Sequence, residues 1–372
     1  MLSPGLNLAV GLLLVLAGAE VLVRSASRLS LIIGLSPLIV GLTIVSFGTS
    51  APELAIGVVG AVKHQTDVAL GNVVGSNIFN ILFVLGLAAV IRPLVVRRHV
   101  VRLDVPILIG LSVLVMVLGL DGSIDRIDGA LFLLLLVAYG YFTFLRSKAE
   151  RINSELAGGH RSTSESGERK RQVIINVALL IVSIVALGLG SQWLVSGASS
   201  IARNLGVSEF IIGITVVAVG TSLPEIATTL AAVFRGEHDI AVGNAIGSCI
   251  VNLLGVLGLM AVISGHGIPV PIGALTSDFP VMIATAVACL PIFFSDHRIS
   301  RWEGALLLAY YAAYAGFLVL EATNRESDPV FSGIMLVFVI PLTVITFGIV
   351  TWRSVLARRA TGRAGERHES ID

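Results

Sequence analysis

Two glutamates carry the strongest chemical signal in the chain. Glu53 closes the run Gly48-Thr49-Ser50-Ala51-Pro52-Glu53, and Glu225 closes Gly220-Thr221-Ser222-Leu223-Pro224-Glu225. Both lie inside long apolar stretches, where an ionised carboxylate costs a few kcal/mol unless something neutralises it. No lysine or arginine stands at comparable depth in the neighbouring stretches, so a metal cation or a proton is the implied partner. The plain alternative, a protonated carboxyl hydrogen-bonded between helices, has to hold twice at equivalent positions. Pro52 and Pro224 lack an amide hydrogen and clash with the carbonyl four residues back. That frees or tilts the carbonyls of Gly48 and Gly220 and loosens the turns holding Thr49, Ser50, Thr221 and Ser222. Broken backbone at membrane depth persists only where the freed groups find partners or line a cavity. A hard cation is such a partner, since calcium takes about six to eight oxygen ligands at about 2.3–2.6 Å. With no His or Cys cluster beside the glutamates, zinc, copper and iron sites are disfavoured.

A facing stripe completes the pattern. Asn72, Ser76 and Asn80 follow one another at four-residue spacing, which places them along one side of a helix, and Asn244, Ser248 and Asn252 repeat the arrangement. Asn72 and Asn244 read chiefly as interhelical hydrogen-bonding groups; Ser76, Asn80, Ser248 and Asn252 read as candidate ligands. Gly71, Gly75, Gly243 and Gly247 permit close helix approach. Behind both stripes stands one internal repeat: residues 34–91 align without a gap on 206–263 at an offset of 172, with roughly half the positions identical. Scattered Leu and Val matches would mean little, but a shared register of Gly, Pro, Ser, Asn and Glu excludes chance. Other polar residues are read as structural. Glu20 and Arg24 form a helix-end pair, with Gln192 and Ser196 in their place in the second copy. Asp67 and Asp239 read as caps of the helices they precede, and Asp104 and Asp278 as interfacial.

The elements that must position these residues are membrane helices. Of 372 residues 55% are hydrophobic and only 13% charged, about half the charged share of a soluble domain. Apolar segments long enough to cross a bilayer core of about 30 Å recur throughout. They are expected at 6–32, 36–62, 68–91, 101–120, 128–146, 173–202, 208–234, 240–263, 276–295, 302–320 and 330–352. Uninterrupted runs such as 130–138 exclude the alternation of a membrane β-barrel. The expected fold is therefore all-α and polytopic: two inverted-topology repeats of five transmembrane helices plus one extra C-terminal helix. The divisions are 1–146 for the first repeat, 147–172 for a cytoplasmic linker and 173–320 for the second repeat. The extra helix occupies 321–352 and a basic tail 353–372. The linker, rich in Ser, Gly, Glu and Arg, reads as flexible.

With that linker inside, all of the 25 lysines and arginines except Lys63, Arg126, Arg203 and Arg325 fall on the same side. The bias puts the amino terminus outside and the carboxyl terminus in the cytoplasm, and the basic tail against anionic headgroups. Leu16-Ala17-Gly18-Ala19 has the look of a signal-peptidase site, but no positive charge precedes it, so a retained first span is expected. Cys249 and Cys289 fall within spans and read as small packing residues. Each of the two copies holds five spans, so the second enters from the opposite side of the membrane, and such inverted repeats are typical of alternating-access transporters, with the substrate near the midplane.

The paired motifs GTSAPE…GNVVGSNIFN and GTSLPE…GNAIGSCIVN resemble the α-repeats of the sodium/calcium exchanger family, within the cation/calcium antiporter superfamily. The resemblance covers the first ten spans, and the short linker is like that of prokaryotic members, so a prokaryotic cell membrane is the implied location. It implies an antiporter rather than an enzyme, with no cofactor; Ca²⁺ and Na⁺ are the transported ions and the lipid bilayer the surroundings. No nucleic acid is implied, and the oligomeric state stays open, a monomer being sufficient. Carried over position by position, the resemblance puts Glu53, Glu225 and the carbonyls of Thr49 and Thr221 around calcium. It puts sodium near Ser50, Ser76, Ser222, Ser248 and the carbonyls of Ser46 and Ala218, with the glutamates shared. Asn80 matches a central amide. Asn252 departs from the pattern, many relatives carrying Asp there, which leaves two fixed carboxylates. Sliding of the first and sixth spans is the implied means of alternating access. A proton-coupled or potassium-dependent exchanger on the same scaffold is the alternative, and a passive cation channel a more distant one.

Overall fold

The computed structural model describes residues 3–63, 65–156, 166–205, 218–294, 297–323 and 348. The expected eleventh span at 330–352 (apart from Gly348), the basic tail, the middle of the linker and the first part of the seventh span lie outside the described residues. Among the described residues, six helices are long and apolar enough to cross a membrane, and up to seven if a bent pair counts as one span. A helix satisfies every backbone group internally, which the bilayer requires.

In chain order the helices are α1 (Pro4–Ile33), α2 (Pro37–Thr49), α3 (Ala51–Val62), α4 (Thr66–Ile91), α5 (Val100–Asp121) and α6 (Arg126–Leu156). The second half holds α7 (Ser166–Asn204), α8 (Ala218–Thr221), α9 (Leu223–Arg235), α10 (His238–Ile263), α11 (Phe279–Phe294) and α12 (Arg301–Thr323). Two helices occupy the centre. The apolar windows of α4 and α10 are 72% and 83% buried, against 33% for α1 and 22% for α6. Small residues set how near the helices come. A Cβ on Gly247 of α10 would lie 2.6 Å from the Leu42 carbonyl oxygen and 2.8 Å from the Ser46 hydroxyl of α2. α1 runs along α7 in the same manner, a Cβ on Gly11 falling 2.5 Å from the Leu194 nitrogen.

The repeat is visible in local geometry. Wide π-type turns span Asn80–Leu85 and Asn252–Val256, and another equivalent pair spans Val100–Asp104 and Ala274–Asp278. Such turns inside α-helices are frequent at functional sites. Four two-residue strands join the halves antiparallel: β1 (Leu94–Val95) pairs with β4 (Arg298–Ile299), and β2 (Ser123–Ile124) with β3 (Ile268–Pro269).

Several expectations need correction. α6 continues to Leu156 and α7 starts at Ser166, so helix occupies much of the expected flexible linker. Low apolar content suggested a coil, but Lys148, Ala149, Glu150 and Arg151 are strong helix formers. Arg169 of α7 also bonds the Ile32 carbonyl at the end of α1, at 2.8 Å. Asp67 and Asp239 do not cap. Gln65 and Glu237 hold the cap positions without side-chain bonds, and the aspartates fall inside the first turn, where the helix dipole favours negative charge. Asp239 pairs instead with Arg97 at 2.5 Å. Asp104, at the start of its span, is fully buried within the protein, held by Arg146 of α6 and by the Tyr139 hydroxyl, each at 3.3 Å. Its carboxylate lies one turn into α5, deep enough to need a partner from the adjacent helix. Glu20 does pair with Arg24, at 2.7 Å, and also receives Arg235 of α9 at 2.6 Å.

Candidate ion site

The two glutamates are placed by paired breaks. α2 stops at Thr49, Ser50 adopts φ −79° and ψ 9°, and α3 restarts with Pro52 in its first turn at a bend of 47°. Ser222 repeats the break with φ −90° and ψ 10°, and Pro224 lies in the first turn of α9. Proline is accommodated there because a first-turn amide has no intrahelical partner. Glu53 and Glu225 therefore sit in the first turns of α3 and α9, the helix ends that favour an anion.

Both carboxylates are fully buried, and each reaches the serine at the other break. The Ser50 hydroxyl donates to Glu225 Oε1 at 3.3 Å, and the Ser222 hydroxyl donates to Glu53 Oε1 at 3.5 Å. The second oxygen of each, Oε2, is buried and meets no hydrogen-bond partner among the described residues. Ser76 flanks Glu53, Thr49 and Ser248 flank Glu225, and the carboxylates lie near enough to feel one another's charge. Two ionised carboxylates in one buried locus repel each other, and a cation between them would offset that repulsion.

α4 and α10 supply the opposite wall. Asn80 is fully buried beside the Cys249 thiol, and Asn252 is fully buried with its Oδ1 meeting no partner among the described residues. Asn72 and Asn244 hold helices together, as expected from the sequence. The Thr221 hydroxyl donates to Asn72 Oδ1 at 3.4 Å, and the Thr49 hydroxyl to Asn244 Oδ1 at 3.0 Å. Thr49 also lies 3.2 Å from the Ser248 hydroxyl. The structure thus gathers Glu53, Glu225, Ser50, Ser222, Ser76, Ser248 and Thr49 at one buried locus, while Asn80 and Asn252 open wide turns that pack against α9 and α3. The Ser46 carbonyl is engaged within α2, accepting the Ser50 amide at 3.0 Å, and its hydroxyl donates back to the Leu42 carbonyl at 2.8 Å. Ala218 opens α8, one turn before Ser222.

Three buried polar residues escaped the sequence reading. Asn77 lies beside Asn252, Thr229 accepts from the Asn244 amide at 3.1 Å, and Thr228 is fully buried with its hydroxyl unpartnered. Thr228 and Thr229 follow Glu225 by three and four residues, which puts them on its side of α9, a signal that was available. Asn77 was masked because the repeat has Cys249 in its place. Among the described residues no group of three or more His, Cys, Asp and Glu gathers. Neutral amides and hydroxyls make up the remaining donors, a set suited to hard cations.

A buried acidic pair between two broken helices of an all-α membrane protein defines a class, the cation antiporters. The sodium/calcium exchanger protein family model matches residues 5–145 and 175–320. The chain is 39% identical over 315 residues to inner membrane protein YrbG of Escherichia coli, covering 84% of this chain and 95% of that protein. It is 32% identical over 346 residues to the sodium/calcium exchanger MaX1 of Methanosarcina acetivorans, covering 83% and 96%. Its fold superposes on the sodium-calcium exchanger NCX_Mj, solved after soaking with 10 mM Na⁺ and zero Ca²⁺, with a TM-score of 0.72 and 28% identity, covering 84% of this chain and 98% of that one. The chain belongs to the sodium/calcium exchanger protein family. It is an integral, multi-pass membrane transporter.

Proposed function

We propose that this protein exchanges Na⁺ for Ca²⁺ across the membrane by alternating access, both ions using one midplane site. Glu53 and Glu225 supply its charge, with oxygens from Thr49, Ser50, Ser76, Asn80, Thr221, Ser222, Ser248 and Asn252, and carbonyls of Ser46 and Ala218 for sodium. One observation carries the reading: two buried glutamates from equivalent broken helices each keep one oxygen without a partner. A hard cation bound between them would satisfy both oxygens and cancel their repulsion. In this reading the chain is two inverted repeats of five spans, 1–146 and 173–320, joined by a cytoplasmic segment at 147–172. An extra span within 321–352 then leads to the basic tail at 353–372. The amino terminus faces outward and the carboxyl terminus the cytoplasm. No covalent step is needed: sodium and calcium compete for shared oxygens, and the site opens to one side at a time. Movement of α1 and α7 as a unit fits their lengthwise packing on each other, through Gly11, Gly190 and Gly197. Two carboxylates balance one Ca²⁺ or two Na⁺, whereas a third Na⁺ would leave one net charge, worth ~2.3 kcal/mol per 100 mV of membrane potential.

Purified protein in sodium-loaded liposomes is expected to accumulate radioactive calcium only while an outward sodium gradient lasts. Uptake that follows a pH gradient and ignores sodium would replace this reading with proton coupling. Uptake without any counter-ion would make the protein a channel.

A further inference from the structure

The crossing of α4 and α10 holds four residues that the repeat relates in pairs: Asn80 corresponds to Asn252, and Asn77 to Cys249. All four are at most 1% exposed. Asn77 is tied to its surroundings on several sides. Its Oδ1 accepts from Asn252 Nδ2 at 3.5 Å, its Nδ2 donates to the Met282 sulfur of α11 at 3.6 Å, and its carbonyl accepts from the Cys249 thiol at 3.7 Å.

An amide has a donor end and an acceptor end, so fixing one end fixes the other. With Nδ2 of Asn252 turned to Asn77, its Oδ1 is left as the free end, and that oxygen is buried and unpartnered. A cation site needs this orientation, because an amide NH₂ facing the ion would repel it. The other half has a weaker counterpart. There Cys249 stands where the first copy has Asn77, and a thiol is a weak donor and acceptor. Asn80 accordingly meets only the Cys249 sulfur there, a partner that holds an amide weakly.

We infer that Asn77 is a positioning residue that fixes the Asn252 amide with its oxygen presented to the ion. The two halves thus offer unequal amides, one held by an amide at position 252 and one held only by a thiol at position 80. The inference rests on the ion site proposed above. It explains how Asn can serve at a position where the carboxylate of Asp, with an oxygen at either end, would need no orienting.

The test is a double-mutant cycle read by calcium titration calorimetry on the purified full-length protein in sodium-free detergent. Asn77→Leu, similar in size but without hydrogen bonds, is expected to weaken calcium binding by about tenfold, as loss of an orienting partner does at metal sites. In an N252D background the same change is expected to cost less than about twofold, because the coupling is gone. Equal losses in both backgrounds would show a merely structural role and overturn the inference. So would unchanged affinity in the background that keeps Asn252. Should Asn77→Leu lose its melting transition, Asn77→Ser, too short to reach Asn252, replaces it in the same cycle with the same expected outcomes. Wild-type protein that binds no calcium would overturn the site itself, and the inference with it.

Discussion

Glu53 and Glu225 share one predicament: each is sealed from water, and each takes the opposite serine hydroxyl at 3.3–3.5 Å on Oε1 while Oε2 meets no partner among the described residues. Removing one carboxylate from a buried charge arrangement costs about 3–5 kcal/mol, which is about a hundredfold or more in affinity. Glu53→Gln and Glu225→Gln are each expected to abolish sodium-driven calcium uptake in liposomes while the protein still folds. Glu20→Gln is expected to keep most of it, since the glutamine oxygen still accepts from Arg24 and Arg235. Normal flux in either site variant would reject these ligand assignments. Much of this locus was legible in the sequence, because charge inside an apolar run announces itself and the repeat doubles the signal. Asn77 was not, since a lone Asn whose copy is Cys249 carries no such double mark. The partner of Asp104 was not legible either, because distance along a helix does not say whether a residue faces lipid or a neighbour.

Between α5 and α6 a second buried charge is matched differently. Asp104 is fully buried and meets Arg146, 13% exposed, at 3.3 Å, with Tyr139 adding its hydroxyl. Here the partner is a side chain rather than an ion, so a structural role follows. Asp104→Asn would leave Arg146 in apolar surroundings without its counter-charge, a loss of about 3 kcal/mol or more, whereas replacing both residues by apolar ones of similar volume is often neutral. Thermal unfolding in detergent is expected to show a clear drop for the single variant and recovery in Asp104→Leu with Arg146→Leu. An unchanged single variant would mean that water reaches the pair. Breaks were legible at this scale where proline marks them, as at Pro52 and Pro224. The wide turns beginning at Asn80 and Asn252 were not, since no residue type enforces a π-turn. Nor was the extension of α6 into charged sequence, where helix propensity outweighs the lack of apolar residues.

Over the whole molecule, two helices that lie 72% and 83% buried form the axis, and the broken helices cross to meet each other's serines. That meeting requires residues 169–175 apart in sequence to share one locus, as the gapless repeat implies. The sidedness of arginine and lysine likewise suggested a topology, while the depth of the site depends on packing that composition does not encode. The central claim is that a single ion bridges the halves. Anomalous diffraction from crystals soaked in calcium measures this directly. We expect a peak between α3 and α9, about 2.3–2.6 Å from Oε2 of both Glu53 and Glu225. A saturated crystal whose calcium lies elsewhere, with the two carboxylates bonded only to protein groups, would contradict it.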